Sequence, residues 1–228
     1  MATAESGGRT WLLVAAERRE FDGLLKRFGK AVKLGWPVDF GCEVSGNGDR
    51  WLLVANGPGA NLVEKALSKK VEVDGLISTG FCGALDPALR VGDIVLGAAA
   101  VSRSAGPVPV CGKVVTLDRV ATTAVEKSAL RAKTGAVAVD MEAAAVGRKA
   151  AEWGVPFYCI RVVSDTALED MPLDFNLYRD AEGRFSRSRV ALAALTRPFR
   201  TVPGLLRLDR NCKFAAEALG EFLADCRF

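Results

Sequence analysis

Val137-Ala138-Val139-Asp140-Met141-Glu142-Ala143-Ala144-Ala145 reads as an apolar strand that runs out into acids and then into an alanine-rich helix. Arg161-Val162-Val163-Ser164-Asp165-Thr166-Ala167 repeats the device, with a carboxylate where the apolar run from Phe157 to Val163 stops. Strand ends of an open α/β sheet are where such folds bind ligands and do chemistry. The chain contains no histidine. Two acidic stations so placed point to carboxylate-driven chemistry on a small polar substrate.

Working outward, strands alternate with helices. Thr10 to Ala16 reads as the first strand, and Glu17 to Gly29 as a helix with Phe21, Leu24, Leu25 and Phe28 at helical spacing. Val38 to Ser45 and Trp51 to Ala55 flank the turn Asn47-Gly48-Asp49. A helix is expected from Asn61 to Lys70, and a short buried strand from Gly75 to Thr79 ends in the turn Gly80-Phe81-Cys82-Gly83. Further strands are expected over Ile94 to Gly97, Lys113 to Leu117, Ala136 to Val139 and Pro156 to Val163. Helices are expected over Thr122 to Lys133, Asp140 to Trp153, Arg184 to Leu195 and Gly204 to Cys226, with Pro198 and Pro203 separating the last two. The alternation predicts a single α/β domain with a mixed, largely parallel central sheet flanked by helices. Residues 1–9 read as a disordered lead-in, 10–228 as the domain, and 184–228 as its basic helical part.

Composition narrows the chemistry. Without histidine, a Ser-His-Asp triad, a Cys-His pair and a histidine metal site are excluded within one chain. The six cysteines form no CxxC pair, so free thiols and a cytoplasmic setting are expected. A net charge of +4 is too mild to argue for nucleic acid. The basic excess is local: Arg179 to Lys213 holds nine Lys/Arg against three Asp/Glu. That stretch is either a solvated helical face or a surface for an anionic partner or a membrane. No apolar run reaches the ~18 residues of a membrane span.

The candidate residues each have a plain alternative. Asp140 and Glu142 suit a helix N-terminus, where acids cap and meet the helix dipole; Glu142 equally suits a bidentate acceptor for vicinal sugar hydroxyls. Asp165 is either a turn aspartate or a general acid whose affinity for protons is raised by burial. Glu20 belongs either to a mixed-charge surface helix or to a site where it serves as base toward water, with Arg19 as an anion clamp. Gly57-Pro58-Gly59 and Gly80-Phe81-Cys82-Gly83 are tight turns whose amides can also face an anion or a sugar.

Taken together, Ile77-Ser-Thr-Gly-Phe-Cys-Gly-Ala-Leu, Leu89-Arg-Val-Gly-Asp-Ile-Val-Leu, Val139-Asp-Met-Glu-Ala and Arg161-Val-Val-Ser-Asp-Thr-Ala resemble, in order, the blocks of the nucleoside phosphorylase and nucleosidase superfamily over roughly residues 10 to 168. The resemblance is to the methylthioadenosine/S-adenosylhomocysteine nucleosidases in particular. The tail from Asp170-Met-Pro-Leu-Asp-Phe resembles the hopanoid-associated branch, whose members act on an adenosyl-hopane lipid. The resemblance implies a nucleoside phosphorylase-like fold and cleavage of the N-glycosidic bond of an adenosine-type nucleoside with water. Glu142 would bind the ribose hydroxyls with Met141 beside the sugar. Asp165, set by Ser164, would protonate N7 of the leaving purine, and Glu20 would activate water. Val120 would pack on the base, and Gly57, Gly80, Phe81 and Arg19 would lie along the substrate. No metal or organic cofactor is implied, and a homo-oligomer is.

Two departures bear on the acceptor. Phosphorylases of the family carry an arginine where this chain has Ser78 and a Ser or Thr where it has Phe81, both phosphate-holding positions. Arg19 falls near another of their phosphate-binding arginines, so phosphorolysis stays open beside hydrolysis. The segment between Val101 and Gly112 is short, which leaves room for a bulky 5′ group. A non-catalytic nucleoside-binding protein on the same fold is the remaining alternative.

Overall fold

A computed structural model of the chain describes residues 8–98, 101–103, 107–196 and 198–228. Its strands are β1 (Thr10–Ala15), β2 (Val32–Lys33), β3 (Phe40–Gly46), β4 (Asp49–Ala55), β5 (Gly75–Ala84), β6 (Ile94–Ala98), β7 (Ser102–Arg103), β8 (Val110–Cys111), β9 (Val114–Thr116), β10 (Ala138–Asp140), β11 (Phe157–Asp165) and β12 (Cys226–Arg227). The helices are α1 (Asp22–Leu25), α2 (Ala60–Ala66), α3 (Ala124–Thr134), α4 (Ala143–Trp153), α5 (Arg187–Thr196) and α6 (Pro198–Asp225).

The main sheet runs β2-β3-β4-β1-β5-β11-β6-β8, with β10 paired to the far half of β5 and to β9. The centre, β4-β1-β5-β11, is parallel; β2-β3, β3-β4, β6-β11 and β5-β10 are antiparallel. This is the expected mixed, largely parallel sheet. Central strands are apolar on both faces because helices cover both. On one face Trp11, Leu13, Trp51, Leu53, Ile77 and Ile160 pack on Ala215, Leu219 and Phe222 of α6. On the other, Leu12, Val14, Leu52, Val54 and Leu76 pack on Val63 of α2 and on Ala145, Val146, Ala150 and Trp153 of α4.

Several boundaries differ from the sequence expectation. The helix expected over Glu17 to Gly29 is a 3-10 turn, Arg18–Phe21, followed by the short α1. β5 does not stop at Thr79: it continues through Gly80 to Ala84, held by β11 in register from Leu76 to Gly83 and by β10 beyond. Gly80-Phe81-Cys82-Gly83 is therefore strand and not a turn. α4 begins at Ala143, so Asp140, Met141 and Glu142 form the junction before it. Pro203 lies inside α6 and does not divide it from α5. Pro198 at the first helical position forfeits no helix bond, and the single bond lost at Pro203 is outweighed by the buried face of this 28-residue helix. Of the polar lead-in, residues 1–7 lie outside the described residues; the Arg9 amide donates to Asp49 Oδ1 at 2.9 Å.

α6 touches α1 through glycine on both sides. A Cβ on Gly220 would fall inside the van der Waals envelope of the Gly23 backbone, and one on Gly23 inside that of Ala216. This contact seats the 3-10 turn carrying Glu20 against the sheet. Alanine favours a helix over glycine by about 1 kcal/mol, but overpacking against backbone costs about 1–3 kcal/mol. Gly220→Ala is accordingly expected to lower stability despite its better propensity; a urea midpoint equal to or above that of the wild type would contradict the close crossing.

Candidate active site

The site is built on a buried guanidinium. Arg161 on β11 is fully buried. It donates from Nη2 to Ser78 Oγ at 2.6 Å and from Nη1 to the Thr79 carbonyl at 2.8 Å. Nη2 also pairs with Asp140 Oδ2 at 2.5 Å, and Nη1 reaches Glu142 Oε2 at 3.5 Å. Burial alone would push this arginine toward the neutral form, but Asp140 and Glu142 hold it charged, and the net shift is upward. Asp140 is fully engaged: Oδ1 accepts from Thr116 Oγ1 at 2.6 Å and Oδ2 from the Ala143 amide at 2.8 Å. Asp140 thus serves the first turn of α4, the role open to both acids in the sequence. Glu142 makes no capping bond and turns elsewhere.

Glu142 Oε1 accepts the Gly59 amide at 2.8 Å. Gly59 has φ 98°, a conformation that favours glycine, and it presents that amide from the start of α2. Burial pushes the Glu142 carboxyl up to about 7, with Arg161 opposing and the neighbouring Asp140 and Glu20 adding to the rise. Glu20 is also buried. Its Oε2 accepts the Glu17 amide at 2.7 Å and its Oε1 the Phe81 amide at 2.6 Å. Burial raises this carboxyl as well, against those two amide bonds and Arg161.

Asp165 ends β11 just past a register shift at Val163. Ser164 Oγ donates to its Oδ1 at 2.9 Å, and Lys127 Nζ donates to its Oδ2 at 2.6 Å. The glycines of β5 make the space for these acids. A side chain at Gly80, whose φ is +117°, would strike the Glu20 carboxylate, and a Cβ at Gly83 would come 3.0 Å from Asp165 Oδ2. Gly80 and Phe81 therefore act by accommodating and holding Glu20, not by offering a loop to an anion.

Glu20, Glu142 and Asp165 share one cavity of about 1570 Å³, lined also by Arg19, Phe81, Val120, Met141 and Ser164. Arg19 pairs with Glu17 Oε2 at 2.7 Å and rests over the Phe81 ring at 5.5 Å. Gly57 and Gly80 stand apart from the expected set, since neither lines this cavity. The Gly57 amide is taken by the Ala16 carbonyl at 2.8 Å, so it has no donor left for an anion; Pro58 is the lining residue of that turn. Val120 lines the cavity, but its backbone is occupied: its amide donates to Asn176 Oδ1 at 2.9 Å, and its carbonyl accepts from Asn176 Nδ2 at 3.0 Å. Arg179 Nη1 donates to the Asp118 carbonyl at 2.6 Å, so the segment after Asp165 folds back as a wall. Residues of α5 and α6, including Val190, Leu205, Leu208 and Phe214, complete the lining.

A model of the phosphorylase superfamily matches residues 42–107 and 96–198. The chain belongs to that superfamily. Its fold is similar to the 5′-methylthioadenosine/S-adenosylhomocysteine nucleosidase of Neisseria meningitidis in complex with methylthio-immucillin-A, with a TM-score of 0.69 and 19% identity over 95% of this chain and 97% of that one. It is equally similar to the S-adenosylhomocysteine nucleosidase of Streptococcus pyogenes in complex with 5-methylthiotubericidin, with a TM-score of 0.69 and 18% identity over 97% of both chains. A futalosine hydrolase mutant of Helicobacter pylori matches with a TM-score of 0.67 and 15% identity over 94% of this chain and 96% of that one. This superfamily member is an enzyme of the nucleoside hydrolase and phosphorylase type.

Three residues around the site, Arg161, Lys127 and Asn176, are not marked as functional by the sequence alone. Arg161 stands inside an apolar run, where the sequence reads it only as part of the strand. Lys127 is fully buried on the inward face of α3, at helical spacing from Ala124 and Leu130 where an apolar residue is normal; that break in the pattern was its signal. Asn176 had none, since its partner is backbone distant in sequence.

The raised Glu142 carboxyl carries a pH consequence. Between an ordinary glutamate value and about 7 the folded chain binds a proton that the unfolded chain has released, so stability falls as pH rises through that window. Urea midpoints measured from pH 5 to pH 8 should fall, and Glu142→Gln should flatten the decline. An unchanged slope in the variant would remove Glu142 as its source.

Proposed function

We propose that this enzyme cleaves the N-glycosidic bond of a purine nucleoside of the adenosine type, with water as acceptor. The observation that carries the reading is the meeting of Glu20, Glu142 and Asp165 in one cavity beside Met141 and Phe81. Breaking a ribosyl C–N bond builds positive charge on the sugar and negative charge on the base. Carboxylates near the sugar stabilise the first, as in glycoside hydrolysis. A proton on a ring nitrogen relieves the second.

Glu142 accepts from the ribose hydroxyls, since each of its oxygens keeps a lone pair beyond its bonds to Gly59 and Arg161. Asp165, oriented by Ser164, is the proton donor to the base. Glu20 is the base toward water: burial raises its proton affinity, and two amides fix its orientation. Met141 and Phe81 supply apolar surface, and Val120 packs on the base. Water is favoured over phosphate because Ser78 is committed to the buried Arg161 and Arg19 is already paired with Glu17.

Asp165→Asn should keep the fold and nucleoside binding and lose about 10²–10⁴ in turnover, the range of a general acid. Wild-type enzyme incubated with adenosine-type nucleosides should release free ribose sugar with or without phosphate. A product appearing as the sugar 1-phosphate only when phosphate is present would turn the reading to phosphorolysis, and wild-type turnover in the variant would remove Asp165 from the chemistry.

A second reading concerns the 5′ side of the substrate. The cavity wall formed by α5 and α6 continues outward into exposed apolar side chains, with Phe199 96%, Leu195 70% and Leu206 66% accessible. Arg189, Arg207, Arg210 and Lys213 lie on the same two helices. Among the described residues no helix is long and apolar enough to cross a membrane. We infer a peripheral contact with an anionic lipid surface, from which a lipid-linked nucleoside would reach the cavity. Co-sedimentation with anionic phospholipid vesicles should be strong at low salt, weaken as salt rises and drop in Phe199→Ser. Equal recovery with and without vesicles would rule this contact out.

A further inference from the structure

Lys127 is a charged side chain with no exposure, reaching from α3 to the acid at the end of β11. A buried ammonium is costly unless its protons find acceptors. Nζ has three: Asp165 Oδ2 at 2.6 Å, the Thr166 carbonyl at 2.8 Å and the Glu169 carbonyl at 3.2 Å. Two of these are backbone carbonyls, which only accept. Asp165 is the partner that can exchange a proton.

The same heavy-atom positions satisfy two arrangements of one proton. As ammonium and carboxylate, Lys127 donates three bonds. As amine and carboxylic acid, Lys127 donates two bonds to the carbonyls and receives the acid proton on its lone pair. Neither arrangement leaves a buried polar atom unpaired, so moving the proton requires no rearrangement of the site. Asp165 Oδ1 is meanwhile held by Ser164 Oγ, and the carboxyl lines the substrate cavity.

We propose that Lys127 is a positioning residue that stores the proton Asp165 delivers, so that the pair works as one acid. The proposal rests on the reading of Asp165 as proton donor to the leaving base. The proton passes from Nζ to the Asp165 carboxyl and from that carboxyl to a ring nitrogen of the base. The electron pair of the broken C–N bond stays with the base, which leaves neutral. Water adds to the sugar cation, and Glu20 takes the proton that water loses. Lys127 remains as the amine with its two carbonyl bonds until a solvent proton returns through Asp165, which balances the one shed from Glu20. The carbonyls of Thr166 and Glu169 lie one and four residues past the acid, so the segment that carries the acid also fixes its proton store.

The test separates proton supply from architecture. Lys127→Met keeps the length and apolar stem and removes the proton. With a purine nucleoside, turnover should fall by about 10²–10⁴, the scale of general acid catalysis. With a nitrophenyl riboside, whose nitrophenolate leaving group needs no proton, turnover should change by only a few-fold. Equal losses on both substrates, or no loss on the purine, would overturn the proposal. Lys127→Arg keeps a charge that does not deprotonate, and it should fail to restore purine turnover; restoration would show that charge alone matters. If neither variant folds, a proton inventory of wild-type purine turnover in mixed light and heavy water decides. The same proton makes both transfers, so a straight line with a normal isotope effect is expected; a bowed curve, or no isotope effect, overturns the relay. Absence of any base release by the wild-type enzyme would instead sink the nucleosidase reading itself, and the relay with it.

Discussion

The Arg161 guanidinium is the constraint around which the rest is arranged. It joins four stretches of chain: β5 through Ser78 and Thr79, β10 through Asp140, the junction to α4 through Glu142, and its own β11. Burying a charge needs close opposite charge and hydrogen-bond acceptors; both terminal nitrogens of Arg161 have them, while its buried Nε has no hydrogen-bond partner among the described residues. Removing one partner of such a group typically costs about 3–5 kcal/mol. Each carboxylate here depends on the arginine, and the arginine depends on them. The floor of the cavity is consequently rigid, and Glu142 is held in one orientation before any ligand arrives. That is the preorganisation a group aimed at developing charge requires.

Around this floor the three acids sit in unlike surroundings. Glu20 and Glu142 are buried and driven toward the protonated form, whereas Asp165 is met by a lysine and a serine hydroxyl. Separating titratable groups by environment is how a fold built from carboxylates alone assigns different work to each. The absence of histidine makes that separation necessary. Glycines on β5 are its steric counterpart: Gly80 and Gly83 yield the volume that Glu20 and Asp165 fill. Room and charge are thus set by one strand and its parallel neighbour.

The outer wall follows a different logic. The segment after Asp165 is tied by Asn176 to Val120 and by Arg179 to Asp118, and it leads into α5 and α6. These bonds occupy the backbone at Asp118 and at Val120, the residue that the resemblance sets against the base. The inner site is held by buried charge at strand ends; the wall is held by side-chain bonds to backbone, and it carries exposed apolar side chains such as Leu195, Phe199 and Leu206.

The sequence by itself determined the sheet class, the order of its strands and helices, and the two acidic strand ends. Those are local properties: alternation of apolar runs and turns, and acids placed one or two residues past the runs. It also carried the break in the α3 pattern at Lys127, though reading that break required a partner. Only the tertiary structure decided which acid serves the helix and which the cavity, because Asp140 and Glu142 are two residues apart and both suit a first turn. Only it turned Gly80-Phe81-Cys82-Gly83 from turn into strand, because the pairing that extends β5 comes from β10 and β11, more than fifty positions away in the chain. Register between distant strands, and the burial it imposes on charge, is a long-range property that no local pattern encodes.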